Sequence, residues 1–403
     1  MDKKHLKILE LDSTCTGCGA CVSVCSKGAL KLEYNDEGFY YPKHDISRCV
    51  NCRLCEKVCH VLNAPVSGDY ISREYEPYMV VAKNPEVVRK SSSGGVFSVL
   101  AEKILSEGGV VYGARYNYET ERLEHTSTDK YPLADLRKSK YVESYLGNTF
   151  ADVKSHLKSN RKVLFCGTPC QVRGLITFLK VTKSETTNLV TLRFICHGVP
   201  SNRFFTEYKQ WKERKVGALM VSVDFRPKTR GWSESRFLMT FANNQVCDEA
   251  YQENYYYYCF QKNYLLRQSC YQCNQLCEIT GDFTIADFWG IMFMNDAKQI
   301  YNAEKGISLV LLQSEKAKLL FEEIRNKCDV ATLSQSAVDY IYKDAPRKKS
   351  LLATRAEMMK QVIDKGYMRY VSRTFIGAVM KAKAKRYIKT ILKITGIWKL
   401  LGK

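Results

Sequence analysis

A cysteine motif that occurs twice within the first 60 residues constrains this chain more than any other feature. Each copy spaces its four cysteines by two, two and three residues. The copies are Cys15, Cys18, Cys21 and Cys25, and then Cys49, Cys52, Cys55 and Cys59. In this spacing three thiolates of a tight loop bind one [4Fe–4S] cube, and the fourth cysteine reaches the cube of the other copy. We therefore expect two [4Fe–4S] clusters with crossed ligands.

The crossed arrangement assigns each cysteine to a cluster. Cluster one is predicted on Cys15, Cys18, Cys21 and Cys59, and cluster two on Cys49, Cys52, Cys55 and Cys25. Zinc knuckles are the alternative, but zinc sites with four ligands do not require the repeated two-two-three spacing. The motifs resemble those of bacterial-type two-cluster ferredoxins, although Ser26 and His60 stand where that family usually has proline.

The rest of the N-terminal segment fits the same fold. Because all eight thiols are present, His60 is interpreted as a surface or packing residue and not as a ligand. Two strand-like runs around residues 35–38 predict a hairpin between the motifs. Residues 1–66 are therefore predicted to form an α+β ferredoxin-like two-cluster domain.

Cysteine usage and charge limit the compartment and the partners. The chain has 17 cysteines but no apolar stretch of signal-peptide length at its start, so we expect a reducing, cytoplasmic compartment. The sequence has no run of 18 apolar residues, so we expect no membrane-spanning helix. Residues 346–403 contain 16 Lys and Arg against two acids, which accounts for most of the net charge of +20. The remaining body is only mildly basic and lacks a nucleic-acid fold signature, so nucleic acid is not an expected partner.

After a polar connector, strand-like and helix-like segments alternate, which predicts an α/β domain over residues 76–345. Two glycine-containing loops, at 91–95 and 167–171, each join a strand to a helix. The start of a helix offers free N–H groups to a phosphate, and two such loops at one sheet edge would suit a dinucleotide. Helix caps with tight entry turns are the alternative.

Seven motifs extend this prediction to a family. SSSGGVFSVL, GGVVYGA, KSKYV, GTPCQ, ICHGVPS, SCYQC and DFTIADFWG resemble, in this order, the family of coenzyme F-420 hydrogenase/dehydrogenase beta subunits, from about Tyr78 to Cys328. The resemblance implies an α/β domain that binds FAD and one [4Fe–4S] cluster. FAD would join the one-electron steps of clusters to the two-electron step of a carrier or substrate.

The resemblance also implies residues for FAD, each of which has a plain reading as a helix cap, a surface patch or a turn. They are Ser93, Gly94, Gly95, Lys138, Ser139, Lys140, Tyr141 and Thr168. Lys140 could hold a phosphate or stabilise a reduced flavin anion, and otherwise it is solvated surface.

Two further residues are candidates for catalysis. His197 is the best placed proton donor at neutral pH, with a structural hydrogen-bonded histidine as the alternative. Asp287 lies in Ala-Asp-Phe-Trp-Gly, where the family usually has glycine at the position of Ala286. Asp224, Arg226 and Trp232 could shape a substrate pocket or form an exposed turn. The aromatic stretch 251–260 is read as a core helix in preference to a pocket wall.

A third [4Fe–4S] cluster is predicted on Cys170, Cys196, Cys270 and Cys273. Cys270 and Cys273 form a CxxC pair, which can bind one side of a cube. Cys170 and Cys196 follow two different strands, and an α/β sheet would bring both to one edge. Cysteines recur at these four motif positions in the resembling family. Cys277 is the main competitor, because residues 270, 273 and 277 also have a two-three spacing.

Residues 346–403 are predicted to form a basic helical tail. Ile376, Val379, Met380, Ile388, Ile391, Leu392 and Trp398 fall near one helical face, with lysines elsewhere. Peripheral contact with the inner face of an anionic membrane is one interpretation. A helix packed on the domain or on a partner, or a disordered basic end, are the others.

These features together predict an FAD-dependent iron–sulfur oxidoreductase that is ferredoxin-linked or of the coenzyme F-420 type. It would pass electrons between [4Fe–4S] clusters and a two-electron acceptor or donor through FAD. Its partner would be a redox protein or a small-molecule acceptor. The alternative is an electron-relay subunit of a larger redox complex, without a substrate site of its own. A structural iron–sulfur protein is a third, weaker reading.

Overall fold

The N-terminal domain consists of two short helices and a hairpin. The computed structural model describes residues 5–63, 75–273, 280–290, 305–334, 336, 338 and 349–394. The elements are α1 (Ala20–Ser23), β1 (Leu30–Tyr34), β2 (Tyr40–His44) and α2 (Leu54–Lys57). Each helix lies within one cysteine motif, and β1 pairs with β2 in antiparallel register from Leu30↔His44 to Tyr34↔Tyr40. The predicted hairpin is thus confirmed.

Eleven further strands are described. They are β3 (Glu76–Ala82), β4 (Val110–Asn117), β5 (Arg122–Ser127), β6 (Val163–Gly167), β7 (Leu189–Phe194), β8 (Met220–Asp224), β9 (Arg236–Phe241), β10 (Val246–Ala250), β11 (Phe283–Asp287), β12 (Ser308–Leu312) and β13 (Cys328–Thr332). Eight of these strands form one mixed sheet in the order β13-β3-β12-β11-β7-β6-β4-β5. Strands β8, β9 and β10 form a separate antiparallel sheet.

The centre of the large sheet is parallel. Strand β4 pairs with β6, β6 with β7, and β7 with β11, all in parallel, whereas the outer pairs are antiparallel. Strands β6 and β7 are almost wholly buried, as expected for parallel strands covered on both faces. The α/β prediction is therefore confirmed in the form of a mixed sheet, and the carboxyl ends of four strands meet at one edge.

The helices that follow the N-terminal domain, in chain order, are α3 (Pro85–Arg89), α4 (Val96–Ser106), α5 (Leu133–Leu136), α6 (Thr149–Lys158), α7 (Pro169–Val181), α8 (Asn202–Val216), α9 (Tyr255–Gln261), α10 (Glu315–Arg325), α11 (Leu352–Lys365), α12 (Tyr367–Thr374) and α13 (Ile376–Ile394). Helix α9 buries the aromatic side chains of Tyr256, Tyr257 and Phe260, so the reading of this stretch as a core helix is confirmed. The predicted domain boundaries at 66 and 345 lie outside the described residues.

Between Leu352 and Ile394 the tail forms three successive helices, separated at Gly366 and Phe375, which agrees with the predicted helical tail. Helix α13 packs by the buried Val379 and by an ion pair between Arg386 and Glu253 at 2.8 Å. Helices α11 and α12 reach the hairpin of the N-terminal domain. Arg355 pairs with Glu37, and the Tyr367 hydroxyl donates to the Glu37 carbonyl at 2.6 Å. In the described part of the chain, no helix is long and apolar enough to cross a membrane.

Candidate functional site

The first group of thiols lies in a cavity of the N-terminal domain. Cysteines from both motifs line it, namely Cys15, Cys18, Cys21 and Cys59. Burial raises the pKa of Cys18 to about 12, and the thiolates of Cys15 and Cys59 add to that rise. The structure thus brings together the four cysteines predicted for cluster one, including the one donated by the second motif. Thiols that raise one another's pKa ionise readily only beside positive charge, which the irons of a cube would supply.

His60 gives a separate test of whether a cluster fits this cavity. Its side chain is buried and lines the cavity. His60 is therefore a packing residue, one of its two predicted roles, and the other prediction, that it lies on the surface, is wrong. Its Nε2 lies 3.1 Å from the Thr16 hydroxyl, whereas its Nδ1 has no hydrogen-bond partner. Burial lowers the pKa of His60 to about 3, so the ring is neutral. A cluster sulfur would supply the missing acceptor for an Nδ1 proton.

The second group lies nearer the surface. Two of its thiols accept backbone N–H bonds, from Ala29 to Cys25 Sγ at 3.3 Å and from Asn51 to Cys49 Sγ at 3.4 Å. Burial raises the pKa of Cys55 to about 11, but Cys52 is exposed. One predicted ligand of cluster two therefore faces solvent.

The third group forms at the carboxyl edge of the large sheet. Cys170 follows β6 and Cys196 follows β7, and the parallel pairing of these strands places both cysteines at one edge. Burial raises the pKa of Cys170 well above its usual range, and the thiols of Cys196, Cys273 and Cys270 reinforce that rise. The four predicted ligands of the third cluster are therefore neighbours. Gly198 N–H donates to Cys196 Sγ at 3.4 Å.

Two cysteines outside the predicted set, Cys166 and Cys277, have different positions. Cys166 lies beside Lys140, whose charge partly offsets the effect of burial on the pKa of that thiol. Cys277 lies outside the described residues. Within the described part of the chain, no three cysteine, histidine or acidic side chains are arranged to hold a single metal ion. The ligand assignments of all three clusters stay predictions.

Helix α7 connects the first and third groups of thiols. It carries Cys170 in its first turn and Gly174 four residues later, about 6 Å along the helix axis. A Cβ atom at Gly174 would lie 3.0 Å from both Cβ and Sγ of Cys18. A larger residue at position 174 would press on Cys18, so the close approach of the N-terminal domain favours glycine here. Helix α7 thus carries a predicted ligand of the third cluster in its first turn. About one turn later it contacts Cys18, a predicted ligand of cluster one.

The glycine loops predicted for FAD are partly used for packing. Ser139 N–H donates to Ser92 Oγ at 2.8 Å, which brings the loop at 91–95 against residues 138–141. The Ser93 hydroxyl donates to the Ile307 carbonyl at 2.5 Å, and Gly94 N–H donates to Ser308 Oγ at 3.0 Å. Both groups therefore have partners within the protein, in keeping with a tight entry turn. Gly95 precedes α4 with a φ of +96°.

Thr168 and Tyr141 also have structural partners. Thr168 caps α7 and forms a reciprocal capping box with Gln171. The ring of Tyr141 stacks on that of Phe260, with centroids 4.4 Å apart. His197 Nε2 lies 3.2 Å from the Phe260 carbonyl, which requires a proton on that nitrogen. Thr168 thus acts as a helix cap and His197 as a hydrogen-bonded structural histidine in these contacts. The roles of Thr168 and Tyr141 toward FAD, and of His197 in catalysis, stay predictions.

Two half-buried lysines give this region its charge. Lys140 Nζ donates to the Arg137 carbonyl at 2.6 Å, and burial lowers the pKa of Lys140 to about 8. Lys228, which the sequence did not single out, donates to the Ser93 carbonyl at 2.6 Å. Burial lowers the pKa of Lys228 also to about 8, although Asp287 opposes that effect. The reading of Lys140 as solvated surface is wrong. Two half-buried ammonium groups beside these loops match the charge of a diphosphate.

Asp287 belongs to a polar and aromatic cluster at the end of β11. Its carboxylate accepts a hydrogen bond from Trp232 Nε1 at 3.2 Å and lies 3.8 Å from Arg226 Nη2. The Trp232 ring stacks on Trp289 with centroids 4.4 Å apart. Arg226 and Trp232 are 2% and 1% exposed, so the exposed-turn reading is wrong for both. Asp224, the third residue of that motif, forms an ion pair with Lys138.

Sequence reasoning missed two other buried charged residues, Glu143 and Arg267. Arg267 lies three positions before Cys270, and this proximity to the CxxC pair was the signal that could have identified it. Glu143 follows the KSKYV motif without a spacing that marks it. His125 was also missed. Burial lowers its pKa to about 4, and its ring bridges the Ser144 hydroxyl and the Cys166 carbonyl.

Comparisons with known proteins agree with the resemblance inferred from the motifs. Residues 160–338 match the family model for the C terminus of the beta subunit of coenzyme F420 hydrogenase/dehydrogenase, and residues 14–63 match a 4Fe-4S dicluster domain. An uncharacterized ferredoxin of Methanocaldococcus jannaschii is 42% identical over 45 residues, which is 11% of this chain and 57% of that protein. The family resemblance is confirmed.

Longer matches are more distant. One of the subunits of the F(420)H(2) dehydrogenase of Methanosarcina mazei is 22% identical over 186 residues, 43% of this chain and 51% of that protein. A chain of the F420-reducing [NiFe] hydrogenase complex from Methanosarcina barkeri aligns with a TM-score of 0.47 and 14% identity, over 73% of this chain and 94% of that chain. This chain spans about a fifth to just over half of the length of the curated relatives it matches.

Iron analysis of serine variants tests the N-terminal ligand sets. The full chain, purified without oxygen, is expected to hold about 12 irons, four for each of three cubes. Because the ligands are crossed, Cys15→Ser and Cys59→Ser should remove the same cluster, and Cys49→Ser the other. Iron and sulfide content, together with the electron paramagnetic resonance (EPR) signal of each cluster, identifies the one lost. A full iron content in both Cys15→Ser and Cys49→Ser contradicts the assignment.

The same measurement separates the ligands of the third cluster from their competitor. Cys170→Ser and Cys196→Ser should each lower the iron content to about eight while keeping both N-terminal signals. Cys277→Ser serves as the matched control and should retain about 12 irons. Equal loss in Cys277→Ser and Cys170→Ser would show that the ligand set is wrong.

Proposed function

We propose that this chain, a member of the family of coenzyme F-420 hydrogenase/dehydrogenase beta subunits with an N-terminal 4Fe-4S dicluster domain, is an iron–sulfur flavoprotein oxidoreductase. It passes electrons between [4Fe–4S] clusters and a two-electron acceptor or donor through FAD. One observation carries the proposal. Helix α7 places the thiols around Cys170 one turn away from Gly174, which touches Cys18 of the first thiol group.

This contact supports a path with three steps. The exposed Cys52 would bring a cluster held by the second group within reach of a redox partner. Cys15, Cys18, Cys21 and Cys59 would hold the next cluster in their shared cavity. Cys170 and Cys196 would hold the third at the carboxyl edge of the sheet, the edge where ligands of α/β sheets bind. Short separations between successive groups of thiols are what such a path requires, and α7 supplies one of them.

The residues that would hold FAD follow from the charges at the same edge. Lys140, which donates to the carbonyls of Arg137 and Lys138, keeps a third ammonium proton that would bind the diphosphate. Lys228 donates its three protons to backbone carbonyls, among them that of Ser93, and would contribute its charge alone. Lys138 is held in place by Asp224. When bound, FAD would exchange two electrons with a small molecule and one electron at a time with a cluster. Trp232 and Trp289 form an apolar wall beside Asp287, which keeps water away from that part of the site. His197 supplies a proton.

FAD binding should depend on pH through these lysines. We expect about one FAD per chain, bound most tightly below about pH 8, where both ammonium groups are charged. The affinity should fall as the pH rises through 8, because each amine loses its proton and the anionic diphosphate loses its attraction. Fluorescence titration of FAD between about pH 6.5 and 9.5 measures this.

Variants sharpen the result. Lys140→Gln should weaken FAD binding by about tenfold or more, the effect of one charged hydrogen bond, and should flatten the pH dependence. Lys31→Gln, which removes an exposed lysine of the hairpin, is the control and should change neither. Protein that is colourless after purification and has no affinity for FAD at any pH contradicts the proposal.

The electron-relay alternative has the same cofactors and differs in its acceptor. A relay subunit would pass electrons to another protein of a larger complex and would lack a substrate site. The name of the Methanosarcina mazei relative, which is one of several subunits of a dehydrogenase, supports keeping this alternative.

The acceptor test distinguishes the two functions. Purified protein is reduced with dithionite until its flavin absorbance bleaches, and a two-electron acceptor such as coenzyme F-420 is then added. The enzyme is expected to be reoxidised at a rate that saturates with acceptor concentration, and Asp287→Asn is expected to slow this step at unchanged cluster content. Flavin that stays reduced until a partner protein is added would establish the relay instead.

We also propose that α13 contacts an anionic membrane surface. Its first half packs on the domain through Val379, whereas Ile376, Met380, Tyr387, Ile388 and Ile391 are exposed. The helix has six basic residues and no acid. An exposed apolar stripe flanked by lysines is the pattern of helices that lie on anionic lipid. The helix thus combines packing on the domain with an exposed outer face.

Vesicle binding tests the outer face. The full chain should co-sediment with vesicles that contain anionic lipid at low salt, and deletion of the residues after Ser372 should abolish this. Lys383→Gln and Lys385→Gln should each weaken binding about fivefold, near 1 kcal/mol per lysine. Lys130→Gln, an exposed lysine far along the chain from α13, is the control. A full chain that ignores anionic vesicles at low salt would refute the membrane proposal.

A further inference from the structure

We propose that Arg267, held by Glu143, tunes the reduction potentials of cluster one and of the third cluster together. The inference concerns a positioning residue between two predicted cluster sites, and it rests on the cluster sites of the proposed function. Its basis is that a single buried arginine is bonded to the cysteine loops of both sites.

Arg267 joins the two cysteine loops through its side chain and its backbone. Its side chain is 1% exposed, and Nε donates to the carbonyl of Cys15 at 2.7 Å. Its backbone carbonyl accepts the N–H of Cys270 at 3.0 Å. Cys15 is a predicted ligand of cluster one and Cys270 of the third cluster. A direct hydrogen bond therefore holds the guanidinium of Arg267 against the Cys15 loop, and the backbone of the same residue begins the turn that carries Cys270.

Glu143 fixes the position of that guanidinium. Arg267 Nη1 donates to Glu143 Oε1 at 2.5 Å, and the other carboxylate oxygen accepts the N–H of Tyr40 at 2.9 Å. Arg267 Nη2 donates to the Tyr40 carbonyl at 3.0 Å. At Gly17, which has a φ of +68°, a Cβ atom would lie 2.7 Å from Glu143 Oε1. The cluster-one loop thus closes directly over the ion pair.

The electrostatics agree with this placement. Burial alone would lower the pKa of Arg267, but Glu143 and the thiolates of Cys15 and Cys270 raise it above its usual value. Burial raises the pKa of Glu143, and Arg267 opposes that rise. The guanidinium thus interacts with cysteines of both sites. A cube with four thiolates is anionic and gains one more negative charge on reduction, so a nearby fixed cation favours the reduced form.

Substitution of Arg267 and substitution of Glu143 should shift the two reduction potentials in opposite directions. Removing the guanidinium should lower both potentials, because the negative charge of each reduced cube loses its counter-charge. Removing the carboxylate should raise both, because the guanidinium is no longer neutralised. A pair that only held the domains together would not shift the potentials in opposite directions.

A second buried pair provides the control. Arg355 is 3% exposed, and it donates to Glu37 and to the Leu266 carbonyl at 2.8 Å. It bridges the large domain and the hairpin as Arg267 does, but neither of these two partners is a cysteine. Arg355→Gln therefore reports the cost of breaking a buried interdomain pair without moving a charge that lies between the two cysteine loops.

The test is a potentiometric titration of the full-length protein with its clusters, followed by EPR. In Arg267→Gln we expect about a tenfold fall in the equilibrium constant for reduction of cluster one and of the third cluster, or about 59 mV for one electron. In Glu143→Gln we expect a rise of similar size in both. Arg355→Gln should lower the midpoint of thermal unfolding. It should shift neither reduction potential by more than about 20 mV, a third of the shift expected for Arg267→Gln.

Several outcomes would overturn the inference. Shifts of the same sign in both variants, or a shift of cluster one alone in protein with about 12 irons, exclude a shared electrostatic role. Should Arg267→Gln lose its clusters, Glu143→Gln still decides, because it keeps the guanidinium; unchanged or lowered potentials in that variant refute the proposal. An unmodified protein with about eight irons would remove the third site itself, a failure of the proposed function that iron content alone reveals.

Discussion

Four thiols that share one cavity cannot all lose their protons unless positive charge is placed among them, and the rest of the N-terminal domain depends on this requirement. Burial and mutual repulsion raise the pKa of Cys18 and Cys21. The domain has two helices of four residues each and a hairpin with five-residue strands, so its apolar core is small. Domains of this size usually need a metal or a crosslink. The irons would supply both the charge and the crosslink.

Once the cysteine loops are fixed, they determine how the large domain can approach. Gly174 lies against Cys18, Glu143 lies beneath Gly17, and Arg267 bonds to Cys15. In the loop, these contacts involve the side chain of Cys18, the backbone carbonyl of Cys15 and the position of Gly17, where glycine has no side chain. The interface therefore leaves little room for larger residues near the thiols. Close packing of this kind keeps the distance between the first and third groups constant.

Local patterns in the sequence predicted much of this arrangement. The two-two-three spacing predicted that Cys59 joins the first motif, and the alternation of strands and helices predicted that Cys170 and Cys196 share an edge. Both inferences need only the geometry of one motif or one sheet. The helical tail and the aromatic core helix followed from composition for the same reason.

Partners that are far apart in the sequence could not be predicted in this way. The hydroxyl of Ser93 is taken by Ile307, 214 positions away, so a loop that reads as a phosphate cradle also serves as a packing turn. Glu143 and Arg267 are 124 positions apart, and neither carries a pattern that names the other. Only the folded chain shows that these charges are buried together.

The link between the hairpin and the tail helices has a consequence for synthesis. Glu37 is bound by Arg355 and Tyr367, which follow it by 318 and 330 positions. A ribosome makes the eight N-terminal cysteines long before it makes these two partners. The hairpin side of the cysteine loops therefore remains uncovered for most of translation. Iron and sulfide can be delivered to the nascent chain during that interval, before the last helices close over the hairpin.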